Sequence, residues 1–244
     1  AWPSLGLAHP DTPYLDLLAY LLGNGDSSRL VRRVKEREGL VDRIDAFSYT
    51  PLDPGLTSID FETDAERAAD AIEACVREME SLRAAPVSAE ELEKARVNFL
   101  SHEHFERESV AGLASKIGHF HVTGGGYVLE ERYLETVRRA TPEDLQRVAR
   151  QYCLPERLCV AAVLPETDVE ALDAERVEGA VRRATEEAAR VFAPPRTVSR
   201  SGTGLESYAL EGGAMLHVLP RRSVPIVAAR AAFFGGLLAE TEST

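Results

Sequence analysis

Apolar residues return every three or four positions at Tyr14, Leu17, Leu18, Leu21 and Leu22, which predicts an amphipathic helix that opens at Asp11-Thr12-Pro13 and ends at Gly23. Gly23-Asn24-Gly25-Asp26 breaks the pattern. Ser27 or Ser28 can then cap a second helix through Leu30, Val31 and Val34 to Glu38, with Gly39 as its stop. The period next changes from helical to alternating. Arg43 to Tyr49 and Leu56 to Phe61 read as strands, joined across Pro51, Pro54 and Gly55 as an antiparallel hairpin. Ala68, Ile72, Val76 and Met79 share one face of a helix over Ala65 to Leu82, which Pro86 ends. Ser88-Ala89-Glu90-Glu91 has the form of a capping box, and the helix it opens, through Leu92, Ala95, Phe99 and Leu100, is expected to continue past Leu113 and Ile117. Gly124-Gly125-Gly126 closes that segment. Thr141-Pro142-Glu143-Asp144 starts another helix, and Leu158 to Leu164 is a continuous apolar run that reads as a strand.

This order predicts an α+β fold, a two-layer domain in which a mixed or antiparallel sheet is covered by helices on one face. It occupies residues 1–165. Residues 166–205 turn charge-rich and alanine-rich and then reach Pro194-Pro195, Ser199, Ser201, Gly202 and Gly204, which reads as a helix followed by a linker. Residues 206–244 carry a hairpin across Gly212-Gly213 and a strand from Val224 to Phe234, the opening strands of a second such domain. The chain starts at Ala1 rather than Met and ends soon after that strand, so both termini are expected to be cuts from something longer.

Charge narrows the choice of function. The 244 residues carry 28 Lys and Arg against 40 Asp and Glu, a net charge of -12, with 44% hydrophobic residues. That balance fits a folded chain, while the acidic excess argues against nucleic acid and against an anionic membrane surface. No apolar stretch approaches the roughly 20 residues that a membrane-spanning helix needs. Cys75, Cys153 and Cys159 form no C-x-x-C pair and are expected to be small buried side chains.

His102-Glu103-His104-Phe105-Glu106 is the cluster most like a metal site. On a helix, however, His102 and His104 point to nearly opposite faces, and His102 with Glu106 supplies two ligands, too few for zinc. His119 and His121 would share a side on a strand, but no third ligand follows. Gly23-Asn24-Gly25 follows a helix and lacks a third glycine, so it reads as a turn rather than a phosphate cradle. No string matches H-E-x-x-H, H-x-x-E-H, a P-loop or G-x-S-x-G. No catalytic, cofactor-binding or metal residue is therefore assigned, and substrate contacts are left unassigned.

Gly23-Asn24-Gly25-Asp26-Ser27-Ser28-Arg29-Leu30, followed by Val34-Lys35-Glu36-Arg37-Glu38-Gly39-Leu40, resembles the pitrilysin, insulinase and mitochondrial processing peptidase family of zinc metallopeptidases. Asp53-Pro54-Gly55-Leu56, Glu90 to Arg96, Glu108-Ser109 and Thr141 to Ala149 match in the same order, over residues 1 to about 165. Ser223 to Val227 and Gly235 to Glu240 resemble the opening of the family's next repeat. The resemblance implies duplicated α+β domains, with this chain holding the second domain of one half, the linker, and the first strands of the other half. It also implies zinc-bound water attacking a peptide carbonyl, with a motif glutamate as base. None of those groups is in this sequence, so the resemblance leaves zinc possible in the parent protein only, and the isolated fragment is expected to be inactive. The implied role is one wall of a peptide-enclosing chamber. The resemblance implies the remaining parent domains or a homologous subunit as partners, and a peptide as substrate. The alternative is a structural or partner subunit of a member that has lost metal and activity. The family's substrate-holding arginine and tyrosine align with Lys35 and Asp42, which keep neither the guanidinium fork nor the phenol.

Overall fold

The strands and helices follow from how each segment buries its apolar side. A computed structural model describes residues 1–166, 171–192, 196–200, 204–210 and 214–220. Two compact units divide the chain, Ala1–Ala193 and Pro194–Thr244. In the first, a short β1 (Trp2–Pro3), β2 (Arg43–Tyr49) and β3 (Leu56–Glu62) form an antiparallel sheet in the order β1-β3-β2. Ile44 lies opposite Phe61, Ala46 opposite Ile59 and Ser48 opposite Thr57, so one face carries the side chains that meet the core. The opposite face leaves Phe47 and Tyr49 exposed.

Helix α1 (Thr12–Gly23) packs on β2 and β3, and its Leu15, Leu17, Leu18 and Leu22 are fully buried. Gly23 is required where α1 ends against β2, because a Cβ there would lie 2.0 Å from the Ala46 nitrogen. The next helix passes through Leu30 and widens into π turns over Val31–Arg37. Gly39 ends it at φ +64°. Ser27 and Ser28 do not cap it as expected; the Ser28 hydroxyl is buried with no partner among the described residues.

Helix α2 (Ala68–Ala84) packs against α6 (Pro142–Tyr152) and against α7 (Ala174–Val191). Ile72 and Val76 meet Ala180 and Ala184, whose small side chains let the helices approach closely. Helix α3 (Ala89–Glu106) and α5 (Val128–Arg139) pack on the flank of α1. Thr141 and Asp144 close a reciprocal capping box on α6.

Three expectations change here. The long helix from Ser88 is two helices, because the chain breaks at Arg107–Ser109 and the Ser109 hydroxyl caps α4 (Val110–Thr123). Leu158–Leu164 forms no strand, since the main-chain pairing it makes is confined to Ala1 and Cys159. Cys159 is exposed, whereas Cys75 and Cys153 are buried. In the second unit β4 (Arg196–Arg200), β5 (Glu206–Ala209) and β6 (Met215–Val218) form an antiparallel sheet in that order. β5 and β6 pair as a hairpin, β4 falls within the 166–205 segment, and Val224 to Phe234 lies outside the described residues.

Candidate functional site

The turn Gly23 to Leu30 delivers Arg29 into a cleft of about 550 Å³ between the following helix and α3. Arg29 grips Glu91 with two donors, Nε to Oε1 and Nη2 to Oε2 at 2.7 Å, while Nη1 donates to the Ser81 hydroxyl at 3.0 Å. One turn on, Arg33 Nη1 reaches both carboxylate oxygens of the buried Glu78, at 2.9 and 2.7 Å. The hydrogen bond to Glu78 raises the Arg33 pKa. Arg77 of α2 binds Glu38 at 2.7 Å from the other direction. Arg29 meets Glu91 through two nitrogens in parallel, which fixes orientation as well as charge, whereas Arg33 and Arg77 each share one nitrogen between the two oxygens of their carboxylate. These pairs bolt the helix after the turn to α2 and α3. The Glu91 carboxylate is thereby diverted from the cap expected at Ser88, whose hydroxyl nevertheless accepts from the Glu91 N–H.

Arg29 and Arg33, spent on internal carboxylates, are not available to hold a substrate carboxylate, and their side of the cleft is a structural joint, while Arg32 and Arg37 also line it. Lys35 and Asp42 do not line it; both are exposed, with Asp42 3.7 Å from Arg67. His102 lies 3.3 Å from Glu106 on α3, and Lys116 of α4 takes Glu103 at 2.6 Å and Glu106 at 2.8 Å. Lys116, through its hydrogen bond, holds the Glu106 carboxyl below the usual range. His119 and His121 sit on the helix α4 rather than on a strand, so they do not share a side. Among the described residues no three His, Cys, Asp or Glu side chains gather as a metal would require. The donors at hand thus do not fit zinc, and no step through zinc is assigned to them.

A second polar pair escaped the sequence reading. Tyr133 of α5 donates to Asp16 Oδ2 of α1 at 2.5 Å, while Asp16 Oδ1 is sealed from solvent with no partner among the described residues. Burial raises the Asp16 pKa to about 6 and the Tyr133 pKa well above 10. An isolated Asp on a leucine-rich face was the available signal.

A family profile described as peptidase M16 inactive domain matches residues 1–99, the stretch that contains the turn, both arginines and the hairpin. Over these residues the chain is similar to the peptidase M16 inactive domain. This is the family to which the residue strings around Arg29 pointed. An uncharacterized zinc protease of Rickettsia bellii is 28% identical over 138 residues, covering 55% of this chain and 32% of the relative. The chain thus spans about a third of that relative's length. The inactive peptidase domain solved from Bordetella parapertussis superposes with a TM-score of 0.58 at 25% identity, over 64% of this chain and 83% of that one. A chain of complex III2 from Candida albicans shares the fold alone, with a TM-score of 0.63 at 17% identity, over 74% of this chain and 45% of that one. Within the matched stretch the Arg29 and Arg33 pairs hold the first helices together.

Proposed function

We propose that this chain is a non-catalytic wall of a peptide-enclosing chamber in a zinc peptidase whose metal-bearing domain lies on another part of the same protein or on a partner subunit. The observation that carries the reading is the inactive-domain match over residues 1–99, on a fold whose Arg29 and Arg33 are committed to internal carboxylates. In this reading residues 1–165 are the second domain of one half, 166–205 the helix and inter-half linker, and 206–244 the first strands of the next domain. Such a wall works by shape. It presents a rigid surface to an extended peptide and leaves activation of water to the metal site.

The purified chain, supplied with zinc, is expected to hydrolyse no peptide. Chelator-sensitive hydrolysis that disappears with His102→Ala or Glu106→Gln would overturn the reading. The fold shared with a complex III2 chain favours a second reading, a structural subunit without metal. An H-x-x-E-H string in the parent reading frame or its partner selects the peptidase; its absence from both selects the scaffold.

A further inference from the structure

The cleft between α3 and the helix that opens at Arg29 holds more positive charge than its own carboxylates neutralise. Arg29, Arg32, Arg33, Arg37 and Lys94 line it, against Glu90 and Glu91. Glu91 is taken by Arg29, and Arg33 is taken by Glu78 of α2. Arg32 and Arg37 have no ion-pair partner among the described residues, and Lys94 donates to the Ser27 carbonyl at 3.4 Å. Three cations are thus left facing one carboxylate, Glu90, in a chain whose net charge is -12. Gathered in one concavity, they create a local positive potential that the net charge conceals.

Helix geometry decides where those cations point. In an ordinary α-helix, residues five apart sit about 140° from each other around the axis, and Arg32 and Arg37 would diverge. Over Val31–Arg37 the turns are π turns instead, and the Glu38 N–H donates to the Arg33 carbonyl, five residues back, at 3.0 Å. Closure at five residues sets Arg32 and Arg37 on one side, and both line the cleft. Lys94 and Asn98, one turn apart on α3, stand on the facing wall. Ser28 also lines the cleft; it is 6% exposed, and its hydroxyl has no partner among the described residues. A ligand oxygen brought there would satisfy a donor that the fold leaves open.

We propose that this cleft binds an extended acidic peptide segment whose carboxylates fall at alternate positions. Five residues of helix separate the Arg32 and Arg37 backbones by at most about 7.5 Å along the axis. Residues i and i+2 of an extended peptide share a side and lie about 6.7 Å apart, while adjacent residues point opposite ways. A Glu-x-Glu order therefore offers both carboxylates to the two guanidinium groups, and a Glu-Glu order offers one. This spacing favours a peptide over a compact anion, which meets one guanidinium fork at a time. Carboxylates are also what the neighbouring Arg29 and Arg33 already hold. Lys35 and Asp42 do not line this cleft, so the proposed contacts are not those of the family's substrate-holding pair. The inference concerns binding alone and stands for a peptidase wall and for a scaffold subunit alike.

The test titrates the full 244-residue chain with acetyl-Thr-Glu-Thr-Glu-Thr amide and acetyl-Thr-Thr-Glu-Glu-Thr amide, two peptides of one composition and one charge. Binding is read at low salt from the amide chemical shifts of residues 29–37 and of α3, with the amides of α1 as the control for folding. The alternating peptide is expected to bind roughly fivefold more tightly than the adjacent one. Arg32→Gln and Arg37→Gln, at exposed positions, should each weaken it roughly fivefold, whereas Lys35→Gln, which removes the same charge from the same helix, should weaken it less than about twofold. Equal affinities for the two peptides, no binding of either up to millimolar concentration, or equal losses from Arg37→Gln and Lys35→Gln overturn the proposal. Sodium triphosphate that binds more tightly than the alternating peptide, and loses as much with Arg37→Gln, assigns the cleft to a phosphate ligand and overturns the peptide.

Discussion

Around α1 the leucines disappear from solvent, while along α3 and α4 residues of the same kind remain in it. Leu15, Leu17, Leu18 and Leu22 are 0% exposed, but Val110 is 88%, Val122 75% and Ile117 43% exposed. Both regions show helical spacing of apolar residues. The difference lies in the neighbours: α1 is enclosed by β2 on one side and by α3, α5 and α6 on the others, whereas α4 buries Phe120 and turns Val110, Leu113, Ile117 and Val122 outward. Periodicity tells which side of a helix is apolar. Whether that side is covered depends on elements distant in sequence.

The largest expected effect follows directly. Leu18→Ala should cost about 2–5 kcal/mol in chemical denaturation, the sum of lost transfer energy and a cavity in a site that has little room to collapse. Ile117→Ala should cost under about 1 kcal/mol, because much of its surface is already wet. Equal costs would mean that the α4 face is covered in solution, and the contrast between the regions would then fail.

A pH effect belongs to the enclosed region. Asp16 is half-buried as a residue, but its Oδ1 is sealed, and burial raises its pKa from 3.8 to about 6 against the lowering effect of the Tyr133 hydrogen bond. Below about pH 4 it is protonated in both folded and unfolded states. Between about pH 4 and 6 the folded state holds a proton that the unfolded state has released, so stability falls as pH rises, and above 6 the loss is complete. Asp16→Asn keeps an acceptor for Tyr133 and removes the titration. Unfolding free energies of the two proteins from urea titrations should therefore diverge by about 1–3 kcal/mol between pH 4 and 7, with the native protein losing ground. A constant difference would show that Asp16 is solvated.

What was legible in the sequence separates along the same line. The α1 helix, the β2–β3 hairpin, α2 and the Thr141 cap are local patterns, and each forms where its spacing predicts. The break at Arg107–Ser109 was hidden because apolar spacing persists from Leu100 to Leu113, although Ser109 offered a cap. Helix α5 follows the glycine run directly, and Leu129, Tyr133, Leu134 and Val137 keep helical period with no capping side chain to mark its start. The Arg29–Glu91 joint spans 62 positions and leaves no local signal. Glu91 was read as a cap partner because three-residue spacing is the visible clue, and a bidentate arginine outcompetes it. Leu158–Leu164 has a strand's composition, yet a strand needs a neighbour's main chain, which no residue of its own can announce.

The smallest expected effect tests what holds α4 in place if not its apolar face. Lys116 lies between Glu103 and Glu106 of α3, with the Lys116 and Glu103 side chains 14% and 15% exposed. Such a partly desolvated pair should couple more strongly than the open Arg43–Glu62 pair, at 3.7 Å with side chains 74% and 73% exposed. Lys116→Met should cost about 1 kcal/mol, mainly because Glu103 keeps a charge without its partner. A double-mutant cycle with Glu103→Gln should return a coupling of about 0.5–1 kcal/mol, against near zero for Arg43 with Glu62. The α3–α4 coupling should also survive 0.5 M salt better, since a shielded pair is less screened. If the two cycles agree, charge does no more for α4 than for any surface pair. Its position then rests on the Ser109 cap and on Phe120, which stacks edge-on against Tyr133 and ties the outer helix to the same aromatic that holds Asp16.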